Sequence, residues 1–121
     1  MNPADLFSQQ DDVVRLAPGE VLFREGERGD AMFVLLEGTM DIIIGDKVVE
    51  NSQRGAIIGE LALIDQSPRG ATAVARDPAR LAKVDQRRFH FLIQQNPFFA
   101  THVMKELADR LRRMSRLYAE H

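Results

Sequence analysis

The feature that most restricts the fold is a change of rhythm near residue 85. Before it, apolar and β-branched residues come in short runs: Val13–Leu16, Val21–Arg24, Ala31–Glu37, Met40–Ile44, Lys47–Glu50, Ala56–Ile58, Ala71–Ala75 and Leu81–Val84. Turn residues separate them, at Pro18-Gly19, Gly26, Arg28-Gly29-Asp30, Glu37-Gly38, Gly45-Asp46, Arg54-Gly55 and Asp77-Pro78. Each run suits a strand and is too short for an ordinary helix. Many short strands with frequent turns close into a sandwich or barrel. Gly45-Asp46, glycine first, suits a two-residue hairpin of type II′. After Val84 the spacing becomes helical. Asp85 is placed to cap a helix with Phe89, Leu92 and Ile93 on one face, and Asn96-Pro97 interrupts it and starts another. In that last helix Val103, Leu107, Leu111, Met114 and Leu117 recur every three or four residues, flanked by Lys105, Arg110, Arg112, Arg113 and Arg116. At the other end, Asn2-Pro3 opens a short helical segment expected to run through Gln9.

A chain of 121 residues without linker or repeat is read as one domain, 1–121. It has no cysteine, which excludes a disulfide scaffold, a zinc ribbon, an iron–sulfur sensor and a thiol nucleophile. No apolar run approaches the ~20 residues that cross a bilayer. The opening MNPADLFSQQDD is acidic and lacks a basic-then-apolar start, so a cytoplasmic location without a secretory signal is expected. The net charge is −2, with 12 acids and 5 bases in residues 1–60 against 6 acids and 11 bases in 61–121. That balance argues against a dedicated nucleic-acid binder. The basic excess of the second half serves one small anion, or a solvated helix face.

The chemistry is concentrated in residues 59–72, Gly-Glu-Leu-Ala-Leu-Ile-Asp-Gln-Ser-Pro-Arg-Gly-Ala-Thr. Gly59 allows a sharp turn after a strand. Glu60 to Ile64 can form one helical turn whose first N–H groups lack intrahelical partners and favour an anion. Arg69 follows with a planar fork suited to phosphate. A carboxylate beside an anion is repulsive unless it accepts from a hydroxyl of the same ligand, and a sugar phosphate satisfies all these features together. The alternative is an ion pair between Glu60 and Arg69 on a loop, with the glycines as ordinary turns.

The segment Ile58-Gly59-Glu60-Leu61-Ala62-Leu63-Ile64, followed after a gap by Pro68-Arg69-Gly70-Ala71-Thr72, resembles the phosphate-binding cassette of the cyclic nucleotide-binding domain family. Gly19-Glu20-Val21-Leu22-Phe23-Arg24-Glu25-Gly26 and Gly29-Asp30-Ala31-Met32-Phe33 look like the start of its β-roll, and Glu37-Gly38 looks like its usual hairpin turn. The resemblance covers nearly the whole chain. It implies a mainly β fold with flanking helices: an eight-stranded antiparallel β-roll of jelly-roll type over 13–85, with a cassette helix in 58–72, an N-terminal helical segment in 1–12 and two C-terminal helices in 86–121. It implies that Glu60 accepts from the ribose 2′-hydroxyl and Arg69 pairs with the cyclic phosphate. Gly59, Leu61, Ala62, Gly70, Ala71 and Thr72 would line the phosphate cradle, and Ile42 and Val49 would pack on the purine. Gly70 stands where the family usually has alanine, serine or threonine. Threonine there goes with guanine preference, so its absence favours cyclic AMP over cyclic GMP. Ile58 in place of the frequent phenylalanine reads as a core exchange. Leu63 matches the family's hydrophobic relay to the Phe89–Ile93 helix.

The last helix has two readings: a cover for an apolar sheet, or a lid that also pairs with a second copy. Arg112, Arg113, Arg116 and Tyr118 are its candidates for stacking on a base. No metal site is expected, because His90, His102 and His121 fall on predicted helices or at the terminus rather than on inward-facing strands. Nor is an enzyme: no Ser–His–Asp arrangement is supported, and Ser67 reads as a loop residue. The expectation is a regulatory sensor without a catalytic residue or cofactor, its output read by an effector protein or a second copy, without nucleic acid or membrane span. A ligand-independent interaction module on the same fold, and the sensor of a larger channel or transcription regulator, are the other readings.

Overall fold

The computed structural model describes residues 2–7 and 12–119, the side chains of 117–119 excepted. A 3-10 turn at Pro3–Leu6 leads into β1 (Val13–Leu16), β2 (Val21–Phe23), β3 (Ala31–Glu37), β4 (Met40–Ile44), β5 (Lys47–Ser52) and β6 (Ile57–Ile58). Then come α1 (Glu60–Ile64), β7 (Thr72–Ala75), β8 (Ala79–Asp85), α2 (Gln86–Gln95) and α3 (Pro97–Ala119). The eight strands form two four-stranded sheets, ordered β1-β8-β3-β6 and β2-β7-β4-β5, with every pairing antiparallel.

The period-two rule explains how one sheet serves two cores. In β3 the first six residues are all buried, but on opposite faces. Phe33 and Leu35 point between the sheets, where they meet Met40, Ile58, Ala73, Ala75, Ala79 and Leu81. Met32, Val34 and Leu36 point outward and are covered by Ala4, Leu63, Leu92, Phe99 and Val103, joined by Ile57, Ala82 and Val84 of the same sheet. Each Val, Leu, Ile, Phe or Met side chain buried in this way contributes about 1.5–3 kcal/mol.

Several local expectations hold. Ile44 pairs with Lys47, so Gly45-Asp46 is a two-residue hairpin, and Gly45 takes the positive φ of 64° that its turn requires. The Asp85 carboxylate accepts from Arg88 N–H at 2.8 Å and caps α2, whose Leu92 is buried with Phe89 and Ile93 packed beside it. The Asn2 side chain likewise accepts from Ala4 N–H at 2.9 Å.

Others need correction. The opening segment is one tight turn that ends at an extended Phe7, and Gln9 lies outside the described residues. Glu37-Gly38 does not close a hairpin: β3 and β4 lie in different sheets, and the pair turns the corner between them. Gly38 has φ 85°, and a Cβ there would meet the Pro78 carbonyl oxygen at 2.3 Å, so chain conformation and neighbour both demand glycine. The apolar stripe on α3 covers the sheet only in its first half. Val103 is buried and Leu107 packs on the same core, but Leu111 and Met114 are exposed, and the Leu117 side chain lies outside those described. Among the described residues no helix is long and apolar enough to cross a membrane.

Candidate ligand-binding site

Strand β6 ends at Ile58, and Gly59, with φ 77°, turns the chain directly into α1. The turn puts Glu60 inside, only 2% exposed, while Leu61 and Ile64 face outward and Ala62 and Leu63 inward. After the loop that follows, Arg69 is fastened to the β2–β3 connection by two backbone bonds. Its N–H donates to Glu27 O at 2.8 Å, and its carbonyl accepts from Gly26 N–H at 2.8 Å. Thr72 adds a third tie, its hydroxyl accepting from Glu25 N–H at 3.0 Å.

Arg69 is 7% exposed. Its guanidinium lies over the Phe23 ring at 4.2 Å and donates to Gly59 O at 2.9 Å and Ala31 O at 2.8 Å. Its Nε is buried and has no hydrogen-bond partner among the described residues. Burial pushes its pKa down, with Asp30, Glu27 and Glu60 opposing. Two glycines make room for it: a Cβ on Gly29 would fall 2.4 Å from the guanidinium, and one on Gly59 2.4 Å from Nη1. Gly29 is thus a site residue that sequence reasoning placed only in a turn.

Glu60 and Arg69 do not pair with each other. Glu60 Oε1 instead accepts from Nη1 of Arg110, on α3. Arg110 also donates to Ile57 O at 2.8 Å and approaches Glu50 at 3.5 Å, while Arg113 reaches Glu50 at 2.9 Å. Glu106, one turn earlier, accepts from Ile57 N–H at 3.0 Å. Burial raises the pKa of Glu60 despite the pull of Arg110. For Arg110 burial works the other way, but Glu60, Glu50 and Glu106 outweigh it and hold the pKa above the ordinary value. A charged network therefore ties α3 to the start of α1. No spacing along the chain joins Glu50, Glu60, Glu106 and Arg110, because three separate elements bring them together; only the arginine-rich flank of the last helix hints at it.

The remaining expected residues are dispersed around this centre. Gly70 is exposed, with nothing near a Cβ, and Ala71 is half-buried. Ile42 packs on the inter-sheet core, whereas Val49 is 54% exposed where the β4–β5 register shifts. Of the proposed lid, Arg113 reaches the roll, Arg112 pairs along its own helix with Asp109 at 3.0 Å, Arg116 is exposed, and the Tyr118 side chain is outside those described. A cavity of about 500 Å³ opens beside the network, between the β5–β6 turn and α3. It is lined by Ser52, Gly55, His102, Glu106 and Arg110 among others, and neither Glu60 nor Arg69 borders it.

Comparison with known proteins agrees with this architecture. Residues 13–96 match the family described as "Cyclic nucleotide-binding domain". The cAMP-dependent protein kinase regulatory subunit of Candida albicans is 34% identical over 82 residues, which is 68% of this chain and 18% of that protein. The cGMP-dependent protein kinase of Eimeria tenella is 41% identical over 61 residues, 50% of this chain and 6% of that protein. The Thermus thermophilus catabolite activator protein shares the fold with a TM-score of 0.77 at 24% identity, covering 87% of this chain and 52% of that one. The chain spans a quarter or less of the curated relatives it matches. Domains of this kind are regulatory rather than catalytic. With the family match running from β1 to the end of α2, the chain belongs to the cyclic nucleotide-binding domain family.

Proposed function

We propose that the chain works as a single sensor module, 1–121, that binds cyclic AMP in preference to cyclic GMP and reports it by moving α2 and α3. Its strands act as the jelly-roll β-roll and α1 as the cassette helix. The observation that carries this reading is Arg69: a buried guanidinium, stacked on Phe23, with an Nε donor that nothing satisfies. Buried donors are nearly always paired, and a phosphate oxygen would satisfy this one while replacing contacts now made to neutral carbonyls. Glu60 then accepts from the ribose hydroxyl through the oxygen that Arg110 does not hold, and amides around Leu61, Ala62, Gly70 and Ala71 complete the cradle. Ile42 and Val49 face the purine, with Arg113, which reaches Glu50 on the roll, as a lid candidate.

Transmission follows from Leu63. It shares one core with Phe89, Leu92 and Phe99, so a ligand that draws α1 inward must displace the helices packed on it. Such a ligand shifts the helices only by as much as it prefers one arrangement. Leu111 and Met114, exposed on α3, offer the surface that an effector protein or a second copy would read.

Calorimetry with cyclic AMP and cyclic GMP tests the reading. Low-micromolar or tighter binding is expected, cyclic AMP the tighter. Arg69→Ala should weaken it by about 2–5 kcal/mol, roughly 30-fold to a few thousand-fold, with folding of the variant checked by thermal melting. A change under about threefold, or silence from both nucleotides, would overturn the assignment.

A further inference from the structure

Ile57 lies on the outer edge of its sheet and pairs on one side only, with Val34 of β3. Side chains of α3 close the other side: Glu106 Oε2 takes the Ile57 N–H, and Arg110 donates to the Ile57 carbonyl. The two are four residues apart on one helix face, so they bracket the single residue Ile57. The other Glu106 oxygen lies 3.5 Å from Nε2 of His102, one turn earlier on the same helix. Among the described residues the buried His102 Nε2 has no hydrogen-bond partner. An imidazole donating from Nδ1 has, when neutral, a lone pair on Nε2. In that tautomer Nε2 is an acceptor, and the Glu106 carboxyl 3.5 Å away supplies a donor when protonated.

We propose that Glu106 and His102 hold one proton between them, which fastens α3 to the edge of β6 and makes the orientation of Glu60, through Arg110, proton-linked. The consequence for ligand rests on Glu60 being a nucleotide contact; the clamp itself does not. Glu106 is faced by His102 and Arg110 from α3, by Glu50 from β5 and by Glu60 from α1. Arg113 engages Glu50, Lys105 acts on His102, and Arg54 and Asp109 border the same cavity.

The sign of the effect follows. Burial raises Glu106 from 4.5 to about 7, with the Ile57 N–H and Arg110 pulling down, and burial lowers His102 so that it is neutral there. The docked helix thus binds the proton more tightly than a released one. Docking strengthens as pH falls through about 7 and weakens above it; the docking constant should rise about fourfold from about pH 8 to about pH 6.5.

An NMR pH titration of the whole chain without added nucleotide, following the Ile57 amide, tests the clamp. In the native sequence its shift should titrate with a midpoint near neutrality. Glu106→Gln mimics the protonated form, its carboxamide donating to His102 Nε2 and accepting from Ile57, and should flatten the titration. His102→Ala removes the acceptor and should lower the midpoint. A midpoint below about 5, the range of an ordinary carboxylate, or an Ile57 titration that survives in Glu106→Gln, overturns the proposal. Because the nucleotide must displace the docked helices, cyclic AMP titrated over the same range should bind up to about fourfold weaker at the acidic end, and pH-independently in Glu106→Gln. Cyclic AMP that binds natively with no pH dependence overturns the link to Glu60. No cyclic AMP binding at any pH, with Ile57 titrating as expected, upholds the clamp and removes the nucleotide assignment.

Discussion

The two faces of the β1-β8-β3-β6 sheet support different kinds of core. Between the sheets, every buried member comes from a strand, and the ladders on both sides hold it in register. On the outer face, the sheet meets Ala4, Leu63 of α1, Leu92 of α2, and Phe99 and Val103 of α3. These helices share no ladder with the sheet and meet it only through side chains. Neighbouring residues divide between the two: Phe33 and Ile58 lie inside, Val34 and Ile57 outside. The inner core is a fixed pedestal, and Phe23 and Phe33, which pack on it, support Arg69 from below. The outer core is where displacement of α1 can reach α2 and α3. On the proposed reading, rigidity and responsiveness are thus separated by the thickness of one sheet.

The largest effects test that separation. Phe99→Ala empties the centre of the outer core and should cost about 3–5 kcal/mol. Hydrogen exchange should show α2 and α3 opening while the ladder amides of β3, β4 and β8 stay protected; if they open together, the two cores are one cooperative unit. Leu81→Ala, on the inner side, should cost about 2–5 kcal/mol and lower ladder protection with the helices, as read by denaturant melts and exchange together. Gly29→Ala should act on the site more than on stability. Its Cβ displaces the Arg69 guanidinium, and cyclic AMP affinity should fall roughly tenfold, ~1.4 kcal/mol, in calorimetry. Asp85→Ala removes the α2 cap for about 1 kcal/mol, a loss confined to the outer core. Gly70→Ala should stay within about 0.5 kcal/mol by thermal melting, since nothing stands near its Cβ.

Much of the inner core was legible because strand alternation is a local signal. β1, β3 and β4 start and stop where their apolar runs do. Other boundaries moved for tertiary reasons. β5 continues to Ser52 because Met40 and Asp41 offer partners to Ser52 and Asn51, and β8 begins at Ala79 because Leu16 pairs there. The corner at Gly38 was misread because glycine marks a turn without saying which sheet the next strand joins. At the site, Gly59, Glu60 and Arg69 stood out by type and spacing. Their partners did not: Arg110 lies 50 residues from Glu60, and its role depends on where α3 lands. Arg112 and Arg116 drew the same notice as Arg113, yet the helical turn directs only Arg113 towards Glu50.

The way α3 closes over Ile57 also bears on solubility. A sheet edge with unpaired N–H and carbonyl groups is a template for strand addition by another chain. β6 is such an edge, only two residues long, and the Glu106 and Arg110 side chains occupy the peptide groups that a foreign strand would use. At an edge of the other sheet, β5 carries Lys47 and Glu50 and an irregular register, devices that discourage the same encounter. Any motion that lifts α3 therefore uncovers an adhesive backbone. The helix guards the protein against its own copies, and substitutions that loosen it should be met first as aggregation on storage.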